Sequence, residues 1–308
     1  MKSAIIVRER VCQDIELRTD KVLRELGYPE PPLSLDDVRA LLDLDRGYFS
    51  SSEDGLLQST ISRLKRGGRQ ILRRPTLLID AIAKFDLRAL YLPDRKHILI
   101  DDSLPEPKHR WLEAHEIGHD LLPWHHEMLM GDDEVTPTAS THDKMEAQAN
   151  YAAGSLLFLG NRFREDCKQL QPSIANAKLL AKRYGNSFTT TLWRMVEYCG
   201  EKKPILAAIG RLPFLSSGPD AFRHLIPSAA FNNLFEIPSA EGLLCGIRTY
   251  CHRGNRGPLG DGELVITDRN GNRHLFDFET FSNTYDTLTL GVHRCSVATT
   301  VAVLQPNA

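Results

Sequence analysis

The stretch Arg110-Trp111-Leu112-Glu113-Ala114-His115-Glu116-Ile117-Gly118-His119-Asp120-Leu121-Leu122 decides how the chain is read. Its apolar spacing is helical, and Pro123 ends it, which predicts a helix over Pro107 to Leu122. His115 and His119 stand four apart, so both imidazoles lie on one face, a turn apart, where they can share one metal ion. Glu116 follows the first histidine. It is badly placed to bind that metal but well placed to take a proton from a water held there. Zinc lowers the pKa of such a water towards about 7, and a neighbouring carboxylate can then act as general base in attack on a peptide carbonyl. The pentapeptide also arises by chance, so its surroundings matter. Trp111, Ala114, Gly118 and Leu121 form a stripe on the opposite face, predicted to point into the core. A glycine inside a helix costs about 1 kcal/mol against alanine, so Gly118 predicts the close approach of another backbone.

Two protein ligands do not complete a catalytic zinc site, which usually has three plus water. The downstream candidates are His125, His126, Glu127, His142 and Glu146. His125 and His126 lie beyond Pro123 and read as solvated loop histidines. Glu146 is the leading candidate, near the start of a helix expected over Asp143 to Leu159. That helix carries Ala147, Ala149, Ala152, Ala153 and Gly154, small enough to pack closely on the His115 helix. Asn150 is one turn on from Glu146 and can hydrogen-bond a ligand or an active-site loop. As a bare carboxylate near a helix start, Glu146 has a plainer reading too, as a partner of the helix dipole.

The two segments together, R-W-L-E-A-H-E-I-G-H (110–119) and E-A-Q-A-N-Y-A-A-G-S-L-L (146–157), resemble the ImmA/IrrE family of bacterial metallopeptidases. That family pairs an A-H-E-x-G-H helix with a downstream E-x-x-A-N-x-F/Y-A-A-x-L-L helix, at an interval that the step from His119 to Glu146 matches. The resemblance extends over roughly residues 30–200. It implies Zn2+ held by His115, His119 and Glu146, Glu116 as general base, and cleavage of a helix-turn-helix repressor or antitoxin that derepresses genes. One departure is Phe158-Leu159-Gly160, where the family often closes the second helix with Met-Pro. It bears on the substrate-side wall and leaves the metal ligands alone.

Outward from this core, L-R-A-L-Y-L-P (87–93) and H-I-L-I-D-D (97–102) read as two short antiparallel strands around Pro93-Asp94-Arg95-Lys96. The N-terminal part (1–70) reads as helical. One helix is expected over Arg8 to Leu26, stopped at Gly27, and another from the capping-box-like Ser34 through Leu44. Gly55 to Ile79 holds six basic residues, Arg63, Lys65, Arg66, Arg69, Arg73 and Arg74, and no acidic one. That is a solvated face or a docking patch for an acidic partner. Pro75 to Phe85 reads as a helix, and Met130 to Thr141 as a surface loop.

Ser173 to Tyr198 reads as helix-turn-helix, with Ser187 capping a second helix that carries Arg194. Such pairs are more often packing units than DNA readers. Beyond Lys202 strand signals take over. G-E-L-V-I-T (262–267) and H-L-F-D-F-E-T-F (274–281) flank D-R-N-G-N, whose Asn270-Gly271 predicts a hairpin turn. L-T-L-G-V-H-R-C-S-V-A-T-T-V-A-V-L (288–304) supplies more strand. Cys245, Cys251, His252, His293 and Cys295 resemble a metal cluster in composition only, since their spacing fits no standard site.

The expected class is therefore α+β. A helical region (1–70) precedes a zincin-like metallopeptidase domain of helices plus a small antiparallel sheet (71–170). A helix-turn-helix-like segment (171–201) and a β-rich C-terminal domain (202–308), sensory or partner-binding, follow. With 42% hydrophobic and 25% charged residues the 308-residue chain buries a sizeable core, and its net charge of −2 supplies no global field towards nucleic acid or membrane. No stretch reads as a signal peptide or membrane span, and the six cysteines lack framework spacing, so a cytoplasmic location with free thiols is expected. The partner expected is a protein substrate. The alternative is a DNA-binding or sensory regulator that keeps the peptidase fold without proteolysis.

Overall fold

A computed structural model of the chain describes residues 7–49, 89–92, 96–104, 106–130 and 139–297. The basic stretch Gly55 to Ile79, the helix expected over Pro75 to Phe85, and most of the loop expected over Met130 to Thr141 lie outside them. The chain divides into two compact units. One comprises Lys2–Phe163 with Arg183–Asn186, the other Arg164–Lys182 with Ser187–Ala308.

In the first unit, α1 (Glu9–Glu25) buries Ile15, Thr19, Val22 and Leu23, one stripe at helical spacing. It stops where Gly27 takes a left-handed φ of 74° and the Tyr28 N–H returns to the Leu23 carbonyl at 2.7 Å. Ser34 caps α2 (Leu35–Leu42) by accepting the Asp37 N–H at 3.2 Å. Asp43 then turns the chain at φ 56°, and a strand follows, β1 (Asp45–Phe49). This strand corrects the all-helical reading of the N-terminal part. D-R-G-Y-F is short, and its pairing partner lies far along the chain, so no local pattern announces it.

β2 (Ala89–Leu92) and β3 (His97–Asp101) form the expected antiparallel pair, Ala89 opposite Ile100 and Leu92 opposite His97. β1 joins β3 in parallel, so the sheet is mixed, in the order β1-β3-β2. Against it lies α3 (Glu106–Leu121), which carries the His115–His119 segment. Pro123 ends α3 and also opens α4 (Pro123–Met130), the position where proline's missing N–H costs nothing. α5 (Ala139–Leu157) completes the group and starts a turn earlier than the Asp143 expected.

α3 is not a one-sided helix. Every residue from Glu113 to Asp120 is buried, because the sheet, α2, α4 and α5 enclose it. Two of its buried carboxylates are accordingly paired with cations. Glu113, 3% exposed, accepts Arg39 Nε at 2.6 Å and Arg46 Nη1 at 2.8 Å, which ties α2 and β1 to α3. Asp120 accepts the Tyr91 hydroxyl and Lys96 Nζ, the latter at 2.8 and 3.1 Å, which ties in β2 and its turn. On the other side, Ile15 of α1 packs with Leu122 and Ala152, and the Tyr151 hydroxyl donates to Glu16 at 2.6 Å.

In the second unit, residues of α6 (Asn161–Gln169), α7 (Ile174–Tyr184) and α8 (Phe188–Cys199) precede a five-stranded antiparallel sheet. Its strands are β4 (Ile205–Gly210), β5 (Phe222–Pro227), β6 (Gly257–Thr267), β7 (Arg273–Ser282) and β8 (Thr287–Ser296), in the order β5-β4-β8-β7-β6. The β6–β7 turn falls at D-R-N-G-N as expected. Asp268 accepts the backbone N–H groups of Asn270 and Asn272 at 2.9 and 2.7 Å, and Gly271 has φ 86°. Three helices go beyond the sequence-based expectation, α6, α9 (Ala229–Leu234) and α10 (Ala240–Tyr250). The last two have serine caps, Ser228 and Ser239, accepting the N–H three residues on. Leu243, Leu244 and Ile247 of α10 join Phe231, Phe235, Phe276 and Phe278 in the core of this unit.

The contact that places α3 against α5 is a backbone one. A Cβ on Gly118 would stand 2.8 Å from the Ala149 carbonyl oxygen, 3.2 Å from Ala152 Cβ and 3.3 Å from Ala149 Cα. Gly118→Ala therefore has two opposed effects. Helix propensity favours it by about 1 kcal/mol. Overpacking against a backbone oxygen that cannot rotate away costs roughly 1–3 kcal/mol, and the helices must part. The expected outcome in chemical denaturation is a less stable protein; an equal or higher midpoint would show that the close approach is not tight.

Candidate metal centre

α3 and α5 bring together residues that the sequence keeps well apart. His115 Nε2 lies 3.2 Å from His119 Nε2 and 3.1 Å from Glu146 Oε2, and His119 Nε2 lies 3.5 Å from Glu146 Oε1. Among the described residues these three side chains form a group with metal-binding spacing. A zinc ion about 2.0–2.1 Å from each donor in a tetrahedral arrangement requires donors about 3.3–3.4 Å apart. The observed edges bracket that value, so the two imidazoles and the carboxylate fit such an ion in size and in chemistry. His115 and His119 are 9% and 6% exposed. The Glu146 side chain is 39% exposed, so the centre opens on that side.

The surroundings are polar in a directed way. His115 Nδ1 lies 3.1 Å from Asn150 Oδ1, the contact expected for Asn150. Glu116 is 6% exposed, and the backbone N–H of Tyr91 in β2 donates to its carboxylate. Burial raises the Glu116 pKa, with the nearby histidines opposing. For Glu146 burial works against the charge, but hydrogen bonds from His115 and His119 outweigh it and hold the carboxyl well below its usual range. For His115 burial disfavours the proton, yet the Glu146 hydrogen bond and the charges of Glu116 and Glu146 win, and its pKa is raised.

The remaining candidates fall elsewhere. His125 is not a solvated loop residue: it lies in α4 at 0% exposure, its Nδ1 2.9 Å from His119 Nδ1 and its Nε2 2.9 Å from Gln148 Oε1. Burial pushes its pKa down to about 4. The sequence hides this because Pro123 reads as the end of helical order, whereas it starts a helix that turns His125 inward. His126 is half-buried, its ring against Tyr91 at 5.6 Å and its Nε2 3.8 Å from Asp120. His142 is exposed, one turn before Glu146 and 3.8 Å from it. The side chain of Glu127 lies outside the described residues.

Phe158, where the family often has Met, is fully buried and packs on Phe163 and Tyr184 with centroids 4.5 and 6.0 Å away, so it is a core residue. In the second unit Arg194 is 8% exposed and pairs with Glu197 at 3.0 Å. Thr191, Leu192, Met195 and Val196 of the same helix are buried too. Cys251 is buried, Cys245 and Cys295 are exposed, and His293 lies 3.0 Å from His274; among the described residues these do not assemble a metal-binding group.

Two measurements test the centre. Glu146→Ala should lower bound zinc sharply from about one ion per chain; stoichiometric metal in that variant would transfer the third ligand to His142 or another group. Zinc binding displaces the proton from His115. Because that pKa is raised, protons compete from a higher pH than at an ordinary histidine. Zinc affinity should therefore fall as pH drops through the raised value, already above the usual 6.5 or so, as followed by competition with a chromophoric chelator.

Residues 73–195 match the model of peptidase family M78, the IrrE N-terminal-like domain. No curated protein matches the chain. A solved structure, that of a Mycobacterium tuberculosis transcriptional regulator, is similar over 95% of this chain and 94% of that one, with a TM-score of 0.51 and 15% identity. Likeness at that identity concerns the fold. No described helix is long and apolar enough to cross a membrane. Over residues 73–195, then, the chain matches the IrrE N-terminal-like domain that marks the ImmA/IrrE family, a metallopeptidase-type family.

Proposed function

We propose that this protein is a zinc-dependent endopeptidase of narrow specificity, which cleaves a helix-turn-helix transcriptional repressor or antitoxin and so derepresses genes. The observation that carries the reading is the triangle of His115, His119 and Glu146 with a buried carboxylate, Glu116, beside it. The three would hold the ion through Nε2, Nε2 and the carboxylate. Zinc in such a position supplies Lewis acidity, lowering the pKa of water towards about 7 and polarising a carbonyl.

Glu116 does the proton work. Its carboxylate accepts the proton of the attacking water and passes it to the nitrogen of the leaving amine. Burial, which raises its pKa, strengthens it as a base. The Tyr91 N–H holds the carboxylate in place from β2. Among the described residues β2 is an edge strand, so an extended substrate segment can pair with its open side next to Glu116. Such a site favours a chain that can present an unfolded or extended segment, which supports one partner over generic substrates.

The resemblance of the fold to a protein described as a transcriptional regulator supports the second reading, a regulator that acts without proteolysis. Direct reading of DNA by α8 fits less well, because Arg194 and its neighbours on that helix face inward. Co-expression with a helix-turn-helix repressor encoded beside the gene separates the two readings. The protease should yield discrete repressor fragments. Glu116→Gln should abolish them while the protein still binds one zinc ion. Fragments that persist in Glu116→Gln, or a cellular phenotype that survives it intact, would sink the protease reading.

A further inference from the structure

The two histidines of the metal centre are held from behind in different ways. His115 leans directly on Asn150. His119 leans on another imidazole, and that contact is ambiguous on its own, since either ring can donate. The ambiguity is removed two residues along α5 from Glu146. Gln148 Oε1 lies 2.8 Å from Trp124 Nε1. An indole N–H only donates, so the amide atom facing it is the oxygen. The same oxygen lies 2.9 Å from His125 Nε2, which must then also carry a proton. The lone pair of the uncharged His125 ring is left at Nδ1, 2.9 Å from His119 Nδ1. His119 accordingly donates from Nδ1, and its own lone pair stands at Nε2, the atom that faces His115 and Glu146.

We propose that Trp124, Gln148 and His125 form a relay that fixes His119 in its metal-binding tautomer, with His125 as the positioning residue. The opposite arrangement, with His119 Nδ1 as acceptor, would place a proton on Nε2 and block the ion. The proposal rests on the zinc centre proposed above. It also gives a role to α4: Trp124 and His125 are consecutive residues in its first turn, and both reach the one Gln148 oxygen.

The direct test is a two-bond 1H–15N correlation spectrum of the zinc-loaded full chain with labelled histidines. The expected pattern is a proton on Nε2 and none on Nδ1 for His125, with a proton on Nδ1 of His119. A proton on Nδ1 of His125 overturns the relay. The second measurement is zinc affinity by chelator competition. His125→Leu removes the acceptor and should weaken zinc roughly 10–100-fold, the usual effect of losing such a partner. His125→Asn places a carboxamide oxygen near the lost Nδ1 and should recover most of that loss. Leu binding zinc as tightly as the native protein overturns the relay, as does Asn binding as weakly as Leu, since a packing role alone would not distinguish an acceptor. If the Leu variant does not fold, the tautomer pattern of the native protein decides. A native protein that binds no zinc overturns the metal centre itself; one that binds zinc with the reversed tautomer overturns the relay alone.

Discussion

The candidate metal centre hangs on how closely two helices approach. α3 brings two imidazoles, α5 brings one carboxylate, and the Gly118–Ala149 contact sets the distance between them. A Cβ at 118 would press on the Ala149 carbonyl oxygen, 2.8 Å away, and push the helices apart. The donor atoms now stand 3.1–3.5 Å from one another, and a separation larger by even an ångström would open the triangle beyond what a bond of about 2 Å can span. The small residues of α5 thus shape the candidate site although none of them supplies a donor atom.

Burying α3 on all sides sets a second constraint. A helix that carries Glu113, His115, Glu116, His119 and Asp120 can be enclosed only if each is matched. Glu113 is matched by cations from α2 and β1, Asp120 by Lys96, and His115 by an amide of α5. Glu116 is the exception, with a backbone N–H and two neutralisable neighbours in place of a dedicated cation. That leaves its pKa raised, in keeping with the proton-transfer role proposed for it.

The site is largely legible in the sequence because its signals are local. The i, i+4 histidines, the interior glycine and the run of alanines each state a short-range requirement, and His115, His119 and Glu146 do come together. Gly118 even announces the backbone contact that justifies it. His125 is hidden because its meaning depends on a helix that starts at the same proline that stops the previous one. β1 is hidden because parallel pairing joins Gly47 to Leu99, a relation that no window of sequence contains. In the second unit the D-R-N-G-N turn and the strands beside it are readable from alternation and turn chemistry. α9 and α10 are not, although Ser228 and Ser239 are ordinary caps, because α9 is under two turns long and α10 carries Gly242 and Gly246 in its interior.

The ion pairs of Glu113 bear on what counts as one folded body. The stretch that matches the family model begins at residue 73. Arg39, Arg46 and β1 lie before it, as does Ile15, which packs on Leu122 and Ala152. A fragment cut at that boundary would strand a buried carboxylate without either guanidinium, at a cost of roughly 3–5 kcal/mol, against a total stability of about 5–15 kcal/mol for a domain. It would also bare the backbone edge of β3. Family likeness and cooperativity therefore draw different borders here: the segment that matches the family model is shorter than the body whose packing it depends on.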